Sequence, residues 1–226
     1  MPYEDFLTYV EYDPNSHITV AEHHIDHLAF RNEDAYVYKD KGANYFGDFL
    51  HFVDIKANFN WGLGIVWSLQ NDIDDAYGLH LASKTFICVN VYNWSAPAEP
   101  TISLREGYGG VQYVDSWPSA VGSTWYYLVI QKIGTALTCK IYSDSARTVL
   151  LKTLSLTLQA DHKFRYIFGC NTWNSGHNYA IDCDIENLDL SAVIVTPKKR
   201  ILRLFPTIGI ALDDINISKG DRVIIL

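Results

Sequence analysis

The stretch Tyr179-Ala-Ile-Asp-Cys-Asp-Ile-Glu186 decides the fold, because apolar and acidic residues alternate strictly over its last six positions. Successive side chains of a β-strand point to opposite faces, so one face is apolar and the other carries only carboxylates. The two faces consist of Ile181, Cys183 and Ile185, and of Asp182, Asp184 and Glu186. The alternation predicts a strand that buries its apolar face in a core and leaves its acidic face in solvent.

Four further strand patterns precede this segment within residues 122–190. They cover residues 124–131, 137–142, 150–158 and 164–170. The leucines of the third pattern also fit one face of a helix. We predict a strand there because Thr153, Ser155 and Thr157 occupy the alternate positions. The turn residues at 143–147 predict a hairpin between the second and third strands.

Strand patterns also recur upstream, with turn residues between them. They cover residues 18–20, 25–30, 35–38, 49–57, 63–69, 77–82 and 85–92. Many short strands with little helix favour an all-β sandwich or barrel over a fold built from β-α-β units. We therefore predict one antiparallel β-sandwich over residues 1–196, followed by a short β-rich extension at residues 197–226.

The composition argues against several classes of partner. The net charge is −8, and an acidic chain lacks the basic surface that nucleic-acid binding needs. No apolar run is long enough to span a membrane. Residues 1–5 lack the basic and apolar regions of a secretory signal peptide, so export would require assembly into a particle or release by lysis.

The four cysteines lie in predicted strands among apolar neighbours. They are Cys88, Cys139, Cys170 and Cys183. No pair has the C-x-x-C spacing of a zinc site, so we predict buried free thiols. A disulfide between Cys139 and Cys183 is the alternative.

The extension at residues 197–226 is too short to form a core of its own. Its apolar, β-rich stretches are expected to pack on the sandwich or on a neighbouring subunit of a homo-oligomer. The basic residues Lys198, Lys199, Arg200 and Arg203 are interpreted as a solvated linker.

Three segments resemble the concanavalin A-like lectin/glucanase superfamily, which includes laminin G-like modules. They are Gly122-Ser-Thr-Trp-Tyr-Tyr-Leu-Val-Ile-Gln131, Ala136-Leu-Thr-Cys-Lys-Ile-Tyr142 and Ile181-Asp-Cys-Asp-Ile185. With residues 125–190 arranged as hairpins, the resemblance covers residues 18–190. It implies a jelly-roll sandwich of two antiparallel sheets. The segment Asn32-Glu-Asp-Ala-Tyr-Val-Tyr-Lys-Asp40 is similar to uncharacterised phage and environmental proteins, which favours a virion or an extracellular surface.

The acidic strand face also resembles the catalytic motif of the superfamily's laminarinases and lichenases, E-x-D-x-E. Retaining hydrolysis needs two carboxyl groups about 5 Å apart. Here the pattern is D-x-D-x-E, so the nucleophile position carries the shorter Asp182. We therefore expect no catalysis and an acidic strand face in solvent. The alternative is a glycoside hydrolase that uses Asp182 and Glu186, with Asp184 between them.

Two segments carry candidate metal ligands. The stretch Asn71-Asp-Ile-Asp-Asp75 places Asp72, Asp74 and Asp75 in a loop, and the resemblance implies Ca²⁺ as the ion. A charged turn is the other interpretation, and no other cofactor is expected. His23 and His27 would share a strand face, but we interpret them as polar residues of an edge strand.

Aromatic rings with neighbouring amides are typical of glycan-binding surfaces. The candidate ligand-binding residues are Asn93, Trp94, Tyr108, Trp117, Trp173 and Asn174. Trp61 is a further loop aromatic. The alternative is that these rings cap the ends of the core. The sequence thus favours a non-catalytic, lectin-like module that binds carbohydrate, serves as a structural subunit of a phage particle or extracellular assembly, or does both.

Overall fold

The computed structural model describes residues 3–59, 61–93 and 99–192. Its strands are β1 Val10–Tyr12, β2 Ile18–Ala21, β3 His24–Phe30, β4 Tyr36–Asp40, β5 Phe49–Ala57, β6 Gly62–Gln70, β7 Phe86–Asn93, β8 Thr101–Tyr108, β9 Val111–Trp117, β10 Thr124–Ile133, β11 Ala136–Tyr142, β12 Leu150–Thr157, β13 Tyr166–Asn171 and β14 Ala180–Ala192. A short 3₁₀ helix spans Phe6–Thr8, and one α-helix, α1, spans Ala76–Leu81.

The strands form two antiparallel sheets of seven strands each, packed as a jelly-roll sandwich. The front sheet has the order β1-β4-β13-β6-β7-β8-β9, and the back sheet has the order β12-β11-β10-β5-β14-β3-β2. The predicted all-β sandwich is therefore confirmed. None of the helices in the described part of the chain is long and apolar enough to span a membrane.

The core between the sheets takes the apolar face of β14, as predicted. Ile181, Cys183 and Ile185 are fully buried. All four cysteines are buried free thiols, which confirms the prediction and excludes the Cys139–Cys183 disulfide in this structure. Burial raises the pKa of the Cys88 thiol to about 12, so this thiol stays protonated at neutral pH.

The hairpin arrangement predicted for residues 125–190 holds only for its first part. Strands β10, β11 and β12 form an antiparallel meander in the back sheet. Strand β13 instead pairs with β4 and β6 in the front sheet, while β14 returns to the back sheet between β5 and β3. Strand patterns report which face is apolar but not which sheet receives the strand, and this is why the hairpin prediction was wrong.

The strand predicted at residues 77–82 is also wrong, because this segment forms α1. The Asp75 carboxylate accepts hydrogen bonds from the backbone N–H groups of Tyr77 and Gly78 and caps the helix. Ala76 and Leu79, one helical turn apart, are both buried. They pack on the outer face of the front sheet in a second apolar cluster with Leu63, Ile65, Phe86, Cys88 and Trp173.

Strands β1, β8 and β9 were not predicted. The Gly109 and Gly110 pair, predicted only as a turn, joins β8 to β9 with both residues at positive φ. The extension at residues 197–226, with its basic residues, lies outside the described residues, and so does Trp94.

Candidate functional site

Three loops meet at one end of the sandwich. They connect β3 to β4, β5 to β6 and β13 to β14. The Arg31 N–H donates to the Tyr179 carbonyl at 2.9 Å, and the Ser175 N–H donates to the Arg31 carbonyl at 2.7 Å. Gly62 packs so closely on the third loop that an added Cβ would lie 2.5 Å from the Ala180 carbonyl carbon. We call these loops, with the α1 cap that adjoins them, the loop surface.

A cluster of three carboxylates lies at this surface. Asp34, Asp74 and Asp75 each place an oxygen within 4.8 Å of the others. Asn174 joins them, because its side-chain amide donates to Asp34 Oδ1 at 2.8 Å and its backbone N–H donates to Asp75 Oδ2 at 2.8 Å. We call these four residues the acidic cluster.

The cluster is electrostatically strained. Burial raises the pKa of Asp75 to about 6, although hydrogen bonds from Asn174, Tyr77 and Gly78 oppose the shift. Burial also raises the pKa of Asp74, and the nearby charge of Asp34 adds to it. Carboxylate oxygens that converge in this way are suitable ligands for a hard cation such as Ca²⁺.

The three carboxylates of the acidic cluster differ by one residue from the three calcium ligands predicted from the sequence. Asp74 and Asp75 belong to it, but Asp72 pairs with Lys84 Nζ at 3.2 Å instead. Asp34 takes the third position. Sequence reasoning missed Asp34 because it lies far along the chain, in the loop between β3 and β4.

Exposed aromatic rings lie on the same loop surface. Trp61 and Tyr179 are 44% and 41% exposed, and their ring centroids are 5.8 Å apart. His177 stacks on Tyr179 at 5.9 Å. Next to the rings, the Asn32 amide donates to Asn178 Oδ1 at 2.5 Å. Apart from Trp61, these residues were not predicted, although residues 174–179 are dense in amide and aromatic side chains.

Arg31, in the loop between β3 and β4, lies near both Tyr179 and Tyr77. Burial lowers the pKa of its guanidinium, and the hydroxyl groups of Tyr179 and Tyr77 partly offset this effect. Tyr77 also contacts the Trp173 ring at 5.3 Å. Cationic, aromatic, amide and acidic groups are therefore all within one surface.

Of the five predicted ligand-binding residues that the structure describes, two lie at this surface. Asn174 is part of the acidic cluster, and Trp173 lies beneath it, 7% exposed. Asn93 is buried and donates to the Phe59 carbonyl at 2.9 Å. Trp117 packs edge-on against Tyr126. Tyr108, the last residue of β8, is 40% exposed and lies beside His162.

The acidic face of β14 lies on the outer face of the back sheet. Lys56 Nζ is 2.6 Å from Asp184 Oδ2, and His24 Nε2 is 3.0 Å from Asp184 Oδ1. The Asn58 amide donates to Asp182 Oδ2 at 3.1 Å. Burial raises the pKa of the Asp182 carboxyl, and the neighbouring Asp26 adds to the shift.

The spacing on β14 is regular. Its register with β3 and β5 is uninterrupted through Glu186, and the first irregularity follows that residue. Asp182 and Glu186 are four residues apart, which corresponds to about 13 Å along an extended strand. Retaining glycosidases hold their carboxyl groups about 5 Å apart and inverting ones up to about 9.5 Å apart. This distance separates the two backbone positions, and the E-x-D-x-E motif of the superfamily's hydrolases has the same four-residue separation. The difference from that motif is therefore the shorter side chain of Asp182 at the nucleophile position.

The interpretation of His27 as a polar residue of an edge strand was wrong. His27 faces the core and is fully buried. Strand β2 covers the edge next to β3. Burial lowers the pKa of His27 to about 4, so its ring is neutral at neutral pH. Within the described residues, the carboxylates of the acidic cluster are the one group of three or more candidate ligands close enough to share a metal ion.

No protein-family model and no curated protein sequence matches the chain. Solved structures match it over most of its length. A glycoside hydrolase family 16 endo-glucanase from Bacteroides ovatus aligns with a TM-score of 0.55 at 12% identity, over 84% of this chain and 99% of the other. The exoplasmic/lumenal domain of VIP36, bound to Ca²⁺ and Man3GlcNAc, aligns with a TM-score of 0.52 at 12% identity, over 86% and 90%.

The legume lectin-like domain from Entamoeba histolytica aligns with a TM-score of 0.51 at 14% identity, over 80% of this chain and 88% of the other. The chain therefore has the concanavalin A-like jelly-roll fold, which confirms the resemblance noted in the sequence. Glucanases and lectins both have this fold, so the fold leaves open whether the chain is an enzyme.

Proposed function

We propose that this chain is a non-catalytic, lectin-like jelly-roll module that binds carbohydrate at the loop surface. The observation that carries the proposal is the exposed pair of Trp61 and Tyr179 beside the acidic cluster. Aromatic faces pack against the apolar faces of sugar rings, and carboxylate and amide groups hydrogen-bond sugar hydroxyls. The acidic cluster would hold Ca²⁺, which neutralises its carboxylates and offers further coordination positions to those hydroxyls.

The shorter side chain of Asp182 at the nucleophile position supports the non-catalytic assignment, because a carboxyl group displaced by about 1 Å can lose about a hundredfold in rate. The hydrogen bonds and ion pairs of Asp182 and Asp184 also support it, because these groups already have partners on the back sheet. The glycan surface and the carboxylates of β14 are then separate features of the molecule.

Glycan binding is tested on a glycan array in the presence of Ca²⁺, followed by calorimetry with the best ligand. We expect Trp61→Ala and Tyr179→Ala each to weaken binding at least tenfold. Tyr45→Ala is the matched control, because Tyr45 is 58% exposed but lies in the loop between β4 and β5, at the opposite end of the sandwich. Equal binding by all three variants would refute the proposed surface.

The cation is tested in the same assay. Asp34→Asn should abolish the effect of Ca²⁺ on glycan binding and on the melting temperature, whereas Asp72→Asn should leave both unchanged. A wild-type protein whose melting temperature is the same in Ca²⁺ and in EDTA would contradict the assignment of the cation.

We further propose that the module is a subunit of a larger assembly, such as a phage particle or an extracellular filament, and that residues 197–226 make the contacts between subunits. The apolar, β-rich stretches of this extension would invite edge pairing if left exposed. A truncation after Thr196 should remain folded and become monomeric. A lower melting temperature with no change in association would instead assign the extension to the core of its own subunit.

A further inference from the structure

The outer face of the back sheet exposes a mixed acidic and apolar surface on β3 and β14. Asp26 and Asp182 are exposed, and Leu28, which lies opposite Asp182 in the register, is 37% exposed. Trp125, two strands away on β10, is half-buried below Lys56, whose Nζ lies 5.0 Å from its ring centroid. We call this surface the β14 face.

The β14 face has more carboxylates than cations. Lys56 and His24 both pair with Asp184. The nearby carboxylate of Asp26 raises the pKa of Asp182 further above the value that burial alone would give. A surface of this kind favours a partner that brings positive charge together with apolar side chains.

The chain itself contains such a segment. Residues 197–226 hold six of the 18 Lys and Arg residues but only three of the 26 Asp and Glu residues. The rest of the chain is therefore more acidic than the net charge suggests. Four of these six basic residues lie in Lys198-Lys-Arg-Ile-Leu-Arg-Leu-Phe205, together with four apolar residues.

We infer that residues 198–205 of one copy dock on the β14 face of a second copy. The inference rests on the proposed assembly and names the surface that receives the extension. The basic residues would lie against the carboxylates of β14 and Asp26, and the apolar residues against Leu28 and Trp125. In a two-fold dimer each copy would supply one segment and one face.

The point at which the described chain ends favours a second copy over the same one. Strand β14 ends at Ala192, six residues before Lys198, and Glu186 lies six residues back along the strand. Each distance is about 20 Å in extended chain. Asp182 lies ten residues back along the strand, whereas Arg200 lies only eight residues beyond Ala192. Reversing the chain direction consumes several of those eight, so the run at 198–200 of the same copy falls short of Asp182. A neighbour has no such limit.

The test is sedimentation equilibrium of the full-length protein with charge-reversed variants. The face variant combines Asp26→Lys and Glu186→Lys. Its matched control combines Glu11→Lys and Glu99→Lys, which changes the net charge equally at exposed positions of the front-sheet side. We expect the face variant to raise the dissociation constant at least tenfold and the control to leave it within twofold.

A segment variant, in which Lys198, Lys199 and Arg200 are all changed to Glu, supplies the rescue. It should not self-associate, but an equal mixture with the face variant should restore a dimer, because each remaining contact then joins opposite charges. A strictly monomeric wild-type protein refutes the assembly proposal itself. A wild-type assembly that the face variant weakens no more than its control does, or a mixture that stays monomeric, overturns this inference alone.

Discussion

At the scale of single residues, two histidines lie inside the sandwich without charge. His27 and His51 are both fully enclosed, and burial lowers their pKa values to about 4 and about 3. The ring of His51 packs against Phe46, Phe49 and Trp67. In the unfolded chain each histidine would titrate near its ordinary pKa of about 6.5.

The unfolded state therefore binds more protons than the folded state between pH 6.5 and these lowered values. Stability contributed by neutral burial is present above pH 6.5 and is lost as the pH falls. For His51 we expect a loss of about 2 kcal/mol between pH 7 and pH 5. Urea unfolding at both pH values checks it. His51→Phe should reduce the pH dependence by this amount, while His177→Phe, at an exposed position, should not.

At the scale of elements, the connection from β12 to β13 carries the chain from one sheet to the other. Glu106 on β8 is fully buried, and its carboxylate accepts hydrogen bonds from the Gln159 N–H and from His162 Nε2 at 3.0 Å. On the other side, the buried Lys132 pairs with Asp161 at 2.5 Å. The Glu106–His162 hydrogen bond and the Lys132–Asp161 ion pair thus attach one connection to both sheets.

We expect His162→Ala to destabilise the fold by about 2 kcal/mol, because it removes a hydrogen-bond partner of the buried Glu106 carboxyl group. Lys163→Ala, at the exposed neighbouring position, is the control and should change the free energy of unfolding by less than about 0.5 kcal/mol. Equal urea midpoints for the two variants would show that the Glu106 pair contributes nothing to attachment of the connection.

The sequence predicts an element correctly when the pattern that specifies it lies within that element. The alternation at residues 181–186 lies within one strand, so both its conformation and its buried face were predicted correctly. The helix signal of α1 is also local, because the N-cap residue Asp75 directly precedes the helix. The aromatic and apolar residues at 77–82 also fit a strand, and the prediction followed that pattern instead of the cap.

The candidate site required contacts between distant segments. Asp34 meets Asp74 only because β4 and β13 pair in the front sheet, and Tyr179 meets Trp61 only because β14 begins beside Gly62. No pattern within a single segment encodes these pairings. Sequence patterns therefore predicted site residues within single loops, such as Asp74 and Asp75, and missed the residues from other loops that complete the site.

At the scale of the whole molecule, the fold is common to lectins and glucanases, so activity is decided by side-chain placement. We expect no hydrolysis of β-1,3- or β-1,4-linked glucans, because the nucleophile position carries the shorter Asp182, whose carboxyl group lies further from a bound sugar than that of Glu. Reducing-sugar release over a day, with a lichenase as positive control, checks it. Turnover that disappears in Glu186→Gln would assign catalysis to the β14 face.

The position of β14 has a consequence for biosynthesis. It is the last described strand in the chain, yet it lies between β5 and β3 in the middle of the back sheet. While the ribosome is still adding residues before Ala180, β5 and β3 each have an unpaired edge, and the core lacks Ile181, Cys183 and Ile185. Closure of the back sheet must therefore await synthesis of β14. For the same reason, a fragment that ends before β14 would need the missing strand as a separate peptide to recover the fold.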